Sequence, residues 1–355
     1  MTLSSKGTTQ ESGFTLIEMM ISILIIASIV VGVVPLFETL QSQSRSKEEQ
    51  ASVDRYIGGL EGYYKQQMQR RIDGAILNVA NGGIGLGATS LLLPDVSAAA
   101  TPEIAAQTAA QTMINTGAVN GRMLAPSLYN ATSNASRKIA LYINNPDLTA
   151  TNAGYVQYLT NQAPVVTGSS WGTDYCPNKV MARMASLVTP TFSDRSLLTM
   201  AMVISAGPNG VFDTFGGSTV AAAAPAWLTP GFTISGDDKG SIINFSAIHA
   251  GDGSNLRNKL HMERLATALG TYFRQNYSKD ALLGSQSVAT LMATNYYTPV
   301  STVAGIQTNM GIPAGDLVDE YGNEIHVASM MSTQPYTVLL YNNCSNYVAI
   351  PATAP

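Results

Sequence analysis

One carboxylate lies inside the longest apolar run of this chain. Residues 14–37 contain a single charged side chain, Glu18, and the next charge is Glu38. An acid in the middle of a membrane-spanning helix costs about 2.5 kcal/mol or more, and an isolated buried carboxylate tends to take up a proton. A charge that is kept inside such a run therefore indicates a function.

The residues that flank this run indicate how it is processed and shaped. Residues 1–13 are polar, and their last residue, Gly13, precedes the apolar run, whereas a secretory signal has its small-residue cleavage site after the apolar core. A cut between Gly13 and Phe14 would leave the apolar run as the new N-terminus. Pro35 removes one backbone donor and predicts a kink near residues 27–31.

Together these residues resemble the N-terminus of type IV pilins and of the pseudopilins of type II secretion. The resemblance covers residues 13 to about 66. It implies that a prepilin peptidase cuts after Gly13 and methylates the amine of Phe14, and that Glu18 pairs with the N-terminal amine of a neighbouring subunit. Pro35 would lie where the helix can loosen as subunits pack. A plain membrane anchor with a tolerated glutamate is the alternative, but it leaves the junction of Gly13 and Phe14 unexplained.

Composition narrows the partners and the compartment. Charged residues make up 12% of the chain, and its net charge of −4 offers no overall basic surface, so we expect no nucleic-acid partner. Cys176 and Cys344 form an even pair in a chain whose body should face an oxidising compartment, which predicts a disulfide. Two unrelated buried thiols are the alternative.

Helical periodicity continues beyond the apolar run. Apolar residues recur at spacings of three and four: Val53, Tyr56, Ile57, Leu60, Tyr63, Tyr64 and Met68. The pattern predicts one helix from about residue 14 to 72, with Gly74 near its end. Residues 54–67 align without gaps with residues 263–276, with four identities and four conservative replacements. The match predicts a duplicated pilin-like module, although two amphipathic helices could also agree by chance.

The predicted fold class is α+β, with a long N-terminal helix, half transmembrane, and a pilin-like head of small antiparallel sheets. Strands are expected at residues 199–205, 336–341 and 347–350, a loop with a short helix at 75–115, and an inserted loop at 216–230. The expected organisation is a leader (1–13), a transmembrane or filament-core helix (14–37), its amphipathic continuation (38–73), a first head (74–250) and a second pilin-like module (251–355).

Enzyme and metal signatures are weak in this sequence. The histidines, His249, His261 and His326, lack metal-ligand spacing, and the GxGxxA match at residues 83–88 follows a helix rather than a strand. Asp237, Asp238 and Asp252 could supply oxygen ligands for calcium, but they lack the spacing of an EF-hand. We interpret them as solvated turn carboxylates, and we expect no catalytic residues, no cofactor and no metal.

The predicted function is structural: a minor pilin of a type IV pilus, assembled through its N-terminal helix. A type II secretion pseudopilin and a pilus-tip adhesin are the alternatives. The expected partners are other pilin subunits, the prepilin peptidase, the pilus or secretion assembly machinery and the membrane. The precursor is expected to cross the bacterial inner membrane once, with its head in the periplasm, and to reach the pilus or cell surface on assembly.

Overall fold

The computed structural model of the protein describes a large part of its 355 residues. The described residues are 15–81, 92–96, 99, 101–118, 139–144, 156–157, 177–191, 195, 198–207, 209–216, 226–251, 253–284, 286–329, 336–341 and 348–349. The chain divides into two units, Met1–Glu49 and Gln50–Pro355, and each is described here by itself.

The described residues combine helices with two small sheets in an α+β fold, as predicted. The helices are α1 (Leu16–Ala80), α2 (Pro102–Asn115), α3 (Pro177–Ser186), α4 (Phe245–Ala250), α5 (Ser254–Leu283), α6 (Val288–Ala293) and α7 (Val303–Met310). The strands are β1 (Ile139–Asn144), β2 (Val156–Gln157), β3 (Met200–Ser205), β4 (Lys239–Asn244), β5 (His326–Ser329), β6 (Val338–Tyr341) and β7 (Val348–Ala349).

In the first unit, α1 is exposed along its apolar run. Every residue from 15 to 45 is exposed, although most of the side chains up to Phe37 are large and apolar. This segment is long and apolar enough to cross a membrane. The kink that Pro35 predicts near residues 27–31 stays a prediction.

In the second unit, α1 extends beyond its predicted end. The helix passes Gly74 and ends at Ala80 because Ala75 and Val79 continue its apolar stripe into a hydrophobic core. A glycine inside a helix costs about 1 kcal/mol relative to alanine. Burial of the two following apolar side chains outweighs that cost.

The described residues of the second unit form two hydrophobic cores. In the first core, the α1 side chains from Val53 to Met68 pack with α2, with strands β1, β3 and β4, and with Trp227 and Phe245. The buried Tyr56 hydroxyl donates to the carbonyl of Ala106 over 2.6 Å and so ties α1 to α2.

The first sheet has the strand order β2-β1-β3-β4. β1 and β3 are antiparallel and buried at every position, and β4 is antiparallel to β3. β2 is parallel to β1, so the sheet is mixed rather than purely antiparallel. β3 confirms the strand predicted at residues 199–205, whereas β1 and β4 were not predicted.

The second core joins the end of α1 to α5 and to an antiparallel sheet with the order β5-β6-β7. β6 and β7 lie within the strands predicted at residues 336–341 and 347–350. Positions that align in the two repeat segments are buried in both helices: Tyr56 with Leu265, Leu60 with Leu269, and Tyr64 with Phe273. Burial of aligned apolar positions is expected of any two amphipathic helices, so the duplication and the module boundary near residue 251 stay predictions.

A glycine in the turn at residues 319–323 offers a test of how tightly the second unit packs. Gly322 has φ +75°, and a Cβ there would lie 2.8 Å from Arg71 Cγ and 3.1 Å from the Arg71 carbonyl carbon. Gly322→Ala is therefore expected to lower the free energy of unfolding by roughly 3 kcal/mol, through backbone strain and overpacking together. The measurement is urea denaturation of the full-length chain in detergent micelles.

The matched control is Gly311→Ala. Gly311 has φ +66°, but a Cβ there would meet no atom within 4 Å. It should cost only the backbone strain, about 1–2 kcal/mol. Equal losses of unfolding free energy for the two variants would show that the turn makes no tight contact with α1.

Candidate functional site

Thr15 and Glu18 form a reciprocal cap at the start of α1. The Thr15 backbone N–H and the Thr15 hydroxyl both donate to Glu18 Oε2, over 3.0 and 2.9 Å. The Glu18 backbone N–H lies 3.4 Å from Thr15 Oγ1 in return. This arrangement is a capping box, and it satisfies backbone donors that the first helical turn leaves free. It also holds the Glu18 carboxylate beside the residue that follows Phe14.

Hydroxyl groups near the apolar segment are satisfied within the helix itself. Ser22 donates to the carbonyl of Glu18 over 2.7 Å, and Ser28 donates to the carbonyl of Leu24 over 2.8 Å. Thr39 donates in the same way to the carbonyl of Pro35 over 2.8 Å. These hydroxyls need no water as partner, so the surface of this segment can face hydrocarbon or other apolar helices.

The structure describes only some of the predicted site residues. Glu18 and Pro35 lie within α1. Gly13, Phe14, Cys176 and Cys344 lie outside the described residues. Cleavage, methylation and the disulfide therefore stay predictions.

Three carboxylates meet in the second unit, and only two of them were singled out from the sequence. One oxygen from each of Asp213, Asp237 and Asp238 lies within 4.8 Å of the others. Asp252, which we had grouped with Asp237 and Asp238, lies outside the described residues. Asp213 was missed because it lies 24 residues before Asp237 in the sequence, so that only the fold brings the two carboxylates together.

Hydrogen bonds fix two of these carboxylates to neighbouring turns. Asp213 Oδ2 accepts from the backbone N–H of Asp237 and from Asn209 Nδ2, each over 3.2 Å. Asp238 Oδ2 accepts from the backbone N–H of Thr214 over 2.8 Å. The close approach of Asp237 to residue 207 needs a glycine at that position, because a Cβ on Gly207 (φ +66°) would lie 2.6 Å from the carbonyl oxygen of Asp237.

The Asp213 and Asp237 side chains interact as an acid pair. Burial and the hydrogen bond to Asp213 raise the pKa of Asp237 above its ordinary value. That side-chain hydrogen bond and a second one from the Asp237 backbone N–H both lower the pKa of Asp213. The pair therefore holds one proton more tightly than two separate carboxylates would. A divalent cation could take the place of that proton, because carboxylate oxygens are its preferred ligands.

This pair predicts a pH dependence of stability. Because the pKa of Asp237 is raised in the folded chain, the protonated Asp237 side chain stabilises the fold at low pH. This stabilisation is lost as the pH rises above about 4 and passes through the folded-state pKa of Asp237. Asp213 is already ionised over this range, because its pKa is lowered. Asp237→Asn removes this titration and keeps a donor for Asp213, so the fall in unfolding free energy over that range should disappear. The measurement is urea denaturation at a series of pH values.

The matched control is Asp73→Asn, at an exposed aspartate of α1, which should leave the slope unchanged. A calcium titration at neutral pH is the second arm. If calcium raised the denaturation midpoint of the native chain but not of Asp237→Asn, the three carboxylates would hold a cation rather than a proton.

The three histidines lie in separate environments. His249 packs edge-on against Tyr321, with ring centroids 5.2 Å apart, and His326 stacks on Tyr341 at 5.0 Å. His261 Nε2 lies 3.9 Å from Asp316 Oδ1. The structure does not bring these histidines together.

His261 lines a cleft of about 590 Å³ between α1, α5 and residues 315–320. Its ionic groups largely face one another, since Arg257 Nε pairs with Glu320 Oε2 at 3.0 Å and His261 faces Asp316. The cleft therefore carries side chains of both charges, and these two pairs form between residues of the cleft itself.

Comparison with known proteins gives one match, at the N-terminus. Residues 8–34 match the prokaryotic N-terminal methylation motif. The matched range includes Gly13, Phe14 and Glu18, and it ends one residue before Pro35. No curated protein and no solved structure matches the chain.

Proposed function

We propose that this chain, a type IV pilin-like protein by its N-terminal methylation motif and the long apolar helix that follows, is a minor pilin of a type IV pilus. The observation that carries the proposal is the position of the motif, which overlaps the start of α1 and its exposed apolar surface. An apolar surface of this length must be covered by lipid or by other apolar helices. The motif with this helix fits an inner-membrane anchor before assembly.

Processing is the first step of the proposed function. The prepilin peptidase would cut after Gly13 and methylate the Phe14 amine. The new amine would then lie close in sequence to the Thr15–Glu18 cap, in which Glu18 Oε2 already accepts two hydrogen bonds. Glu18 would pair with the amine of a neighbouring subunit, because such pairing offsets the cost of a carboxylate among packed apolar helices.

Packing of apolar helices supplies the cohesion of the proposed filament. Residues 14–37 carry only one charge, so equivalent helices can pack through nearly their whole surface. Ser22 and Ser28 add no unsatisfied donor, because both donate within their own helix. Pro35 would allow local loosening of the helix during packing.

The large second unit favours a specialised subunit over the abundant shaft subunit. Its described residues form two hydrophobic cores and two sheets. A head that consisted of one small sheet packed on the helix would need fewer elements. A pseudopilin of type II secretion is the second candidate, because it shares the N-terminal methylation motif.

Immunogold labelling of purified pili tests the proposal. Antibodies raised against residues 50–355 should label wild-type pili sparsely, along the shaft or at the tip, and should not label pili from a strain that lacks this gene. Dense uniform labelling would identify the shaft subunit instead. Absence from pili, with loss of protein secretion on deletion of the gene, would favour the pseudopilin.

A further inference from the structure

A five-residue turn at residues 319–323 connects the two hydrophobic cores. Tyr321 is fully buried in the first core. Its near neighbours in sequence, Leu317, Val318 and Ile325, are buried in the second core. The chain therefore leaves the second core, inserts one aromatic ring into the first, and returns within eight residues.

The turn is held in this shape by a single buried carboxylate. Asp319 Oδ1 accepts from the backbone N–H groups of Tyr321 and Asn323, over 2.9 and 2.7 Å. Asp319 Oδ2 accepts from Asn323 Nδ2 over 3.0 Å, and the Asp319 N–H donates to the Asn323 carbonyl over 2.8 Å. Both side chains are nearly fully buried. Because these bonds close the turn on itself, Tyr321 is presented on a stiff support.

The turn also contacts helices that belong to each core. Tyr321 meets the His249 ring of α4 edge-on at 5.2 Å, and the Glu320 N–H donates to Asn258 Oδ1 of α5 over 2.8 Å. Gly322 lies against the α1 backbone at Arg71. One turn thus touches α1, α4 and α5.

We propose that this turn couples the two cores, so that they open and unfold as one cooperative unit, with Tyr321 as the coupling residue. A buried aromatic ring contributes a large apolar area to its core. If the second core opens, the turn loses its support and Tyr321 leaves the first core. The first core then loses part of its own stability, and this shared loss is what makes the two cores cooperative.

Amide hydrogen exchange of the full-length chain in detergent micelles tests the coupling, read separately in β1 and β3 for the first core and in α5 and β6 for the second. The perturbation is Val338→Ala, which removes two carbons from a fully buried side chain of the second core. With the native turn, protection should fall roughly tenfold in both cores. An unchanged first core would overturn the proposal, and this arm does not depend on any variant of the turn.

In the second arm, Val338→Ala is introduced into the Tyr321→Ala variant. In that variant, Val338→Ala should lower the protection of the second core only. The matched control is Tyr142→Ala, at a buried tyrosine of the first core outside the turn. It should lower the protection of its core and leave the shared response intact. A shared response that survives in Tyr321→Ala would contradict the role of Tyr321 and would assign the coupling to α1. If Tyr321→Ala does not fold, Tyr321→Leu serves in the same comparison.

Discussion

Replacement of Glu18 by valine is expected to leave the protein in the membrane and to remove it from filaments. Valine removes the only charged side chain of residues 14–37, so insertion becomes more favourable, by less than the roughly 2.5 kcal/mol that an acid costs at the centre of a membrane helix, because Glu18 lies in the first turn. The same change removes the only carboxylate that can pair with a neighbouring amine within this run. Loss from the filament fraction should therefore be near complete, whereas the amount in the inner membrane should be unchanged or higher.

The measurement is the ratio of filament-associated to membrane-associated protein, by quantitative immunoblotting of sheared filaments and membranes. The matched control is Glu38→Val, which removes the next charge along the same exposed helix. It should assemble at near wild-type levels. Normal assembly of Glu18→Val would show that Glu18 does not pair between subunits and acts only in the Thr15 cap of its own helix.

Replacement of Gly13 by valine is expected to block both processing and assembly. The peptidase would no longer cut before Phe14, so the polar residues 1–13 would remain attached and the Phe14 amine would never form. Glu18 would then lack its partner although it is unchanged itself. The protein should accumulate in the membrane as the longer precursor, and filaments should contain essentially none of it.

Mobility on gels and mass spectrometry of the membrane fraction distinguish precursor from mature chain. The matched control is Gly7→Val, the same substitution within the leader and away from the junction. It should be processed normally. A Gly13→Val chain that is still trimmed before Phe14 would show that Gly13 does not define the cut.

Local patterns predicted the parts of this fold that depend on neighbouring residues in sequence. The three- and four-residue spacing from Val53 to Met68 predicted the stripe of α1 that the structure buries in the first core. β3 was predicted because its apolar run is short and ends in a turn. The N-terminal motif was recognisable because its glycine, phenylalanine and glutamate lie within six residues.

Features that depend on distant parts of the chain were not predictable in this way. β1 has a continuous apolar run that fits either a buried strand or a helix segment, and its pairing with β3 decides between them. The end of α1 was predicted at about residue 72, near Gly74, because glycine commonly ends helices, but burial of Ala75 and Val79 in the second core overrides that signal. Tertiary packing therefore decides between two local options for β1 and outweighs a local preference at the end of α1.

The candidate sites show the same limit. The Thr15–Glu18 cap follows from a spacing of three residues and could have been read from the sequence as a capping box. The grouping of Asp213 with Asp237 and Asp238 could not be read in this way, because segments 24 residues apart in sequence are brought together by the fold. The contacts of Tyr321 with the first core likewise cross between regions that the sequence assigns to different modules.

The most direct test of the central claim is mass spectrometry of the N-terminal peptide of this protein from purified filaments. Filament assembly after processing predicts a chain that begins at Phe14, lacks residues 1–13 and carries a methyl group on its amine. A chain in filaments that still begins at Met1, or a mature chain that is never found in filaments, would contradict the account.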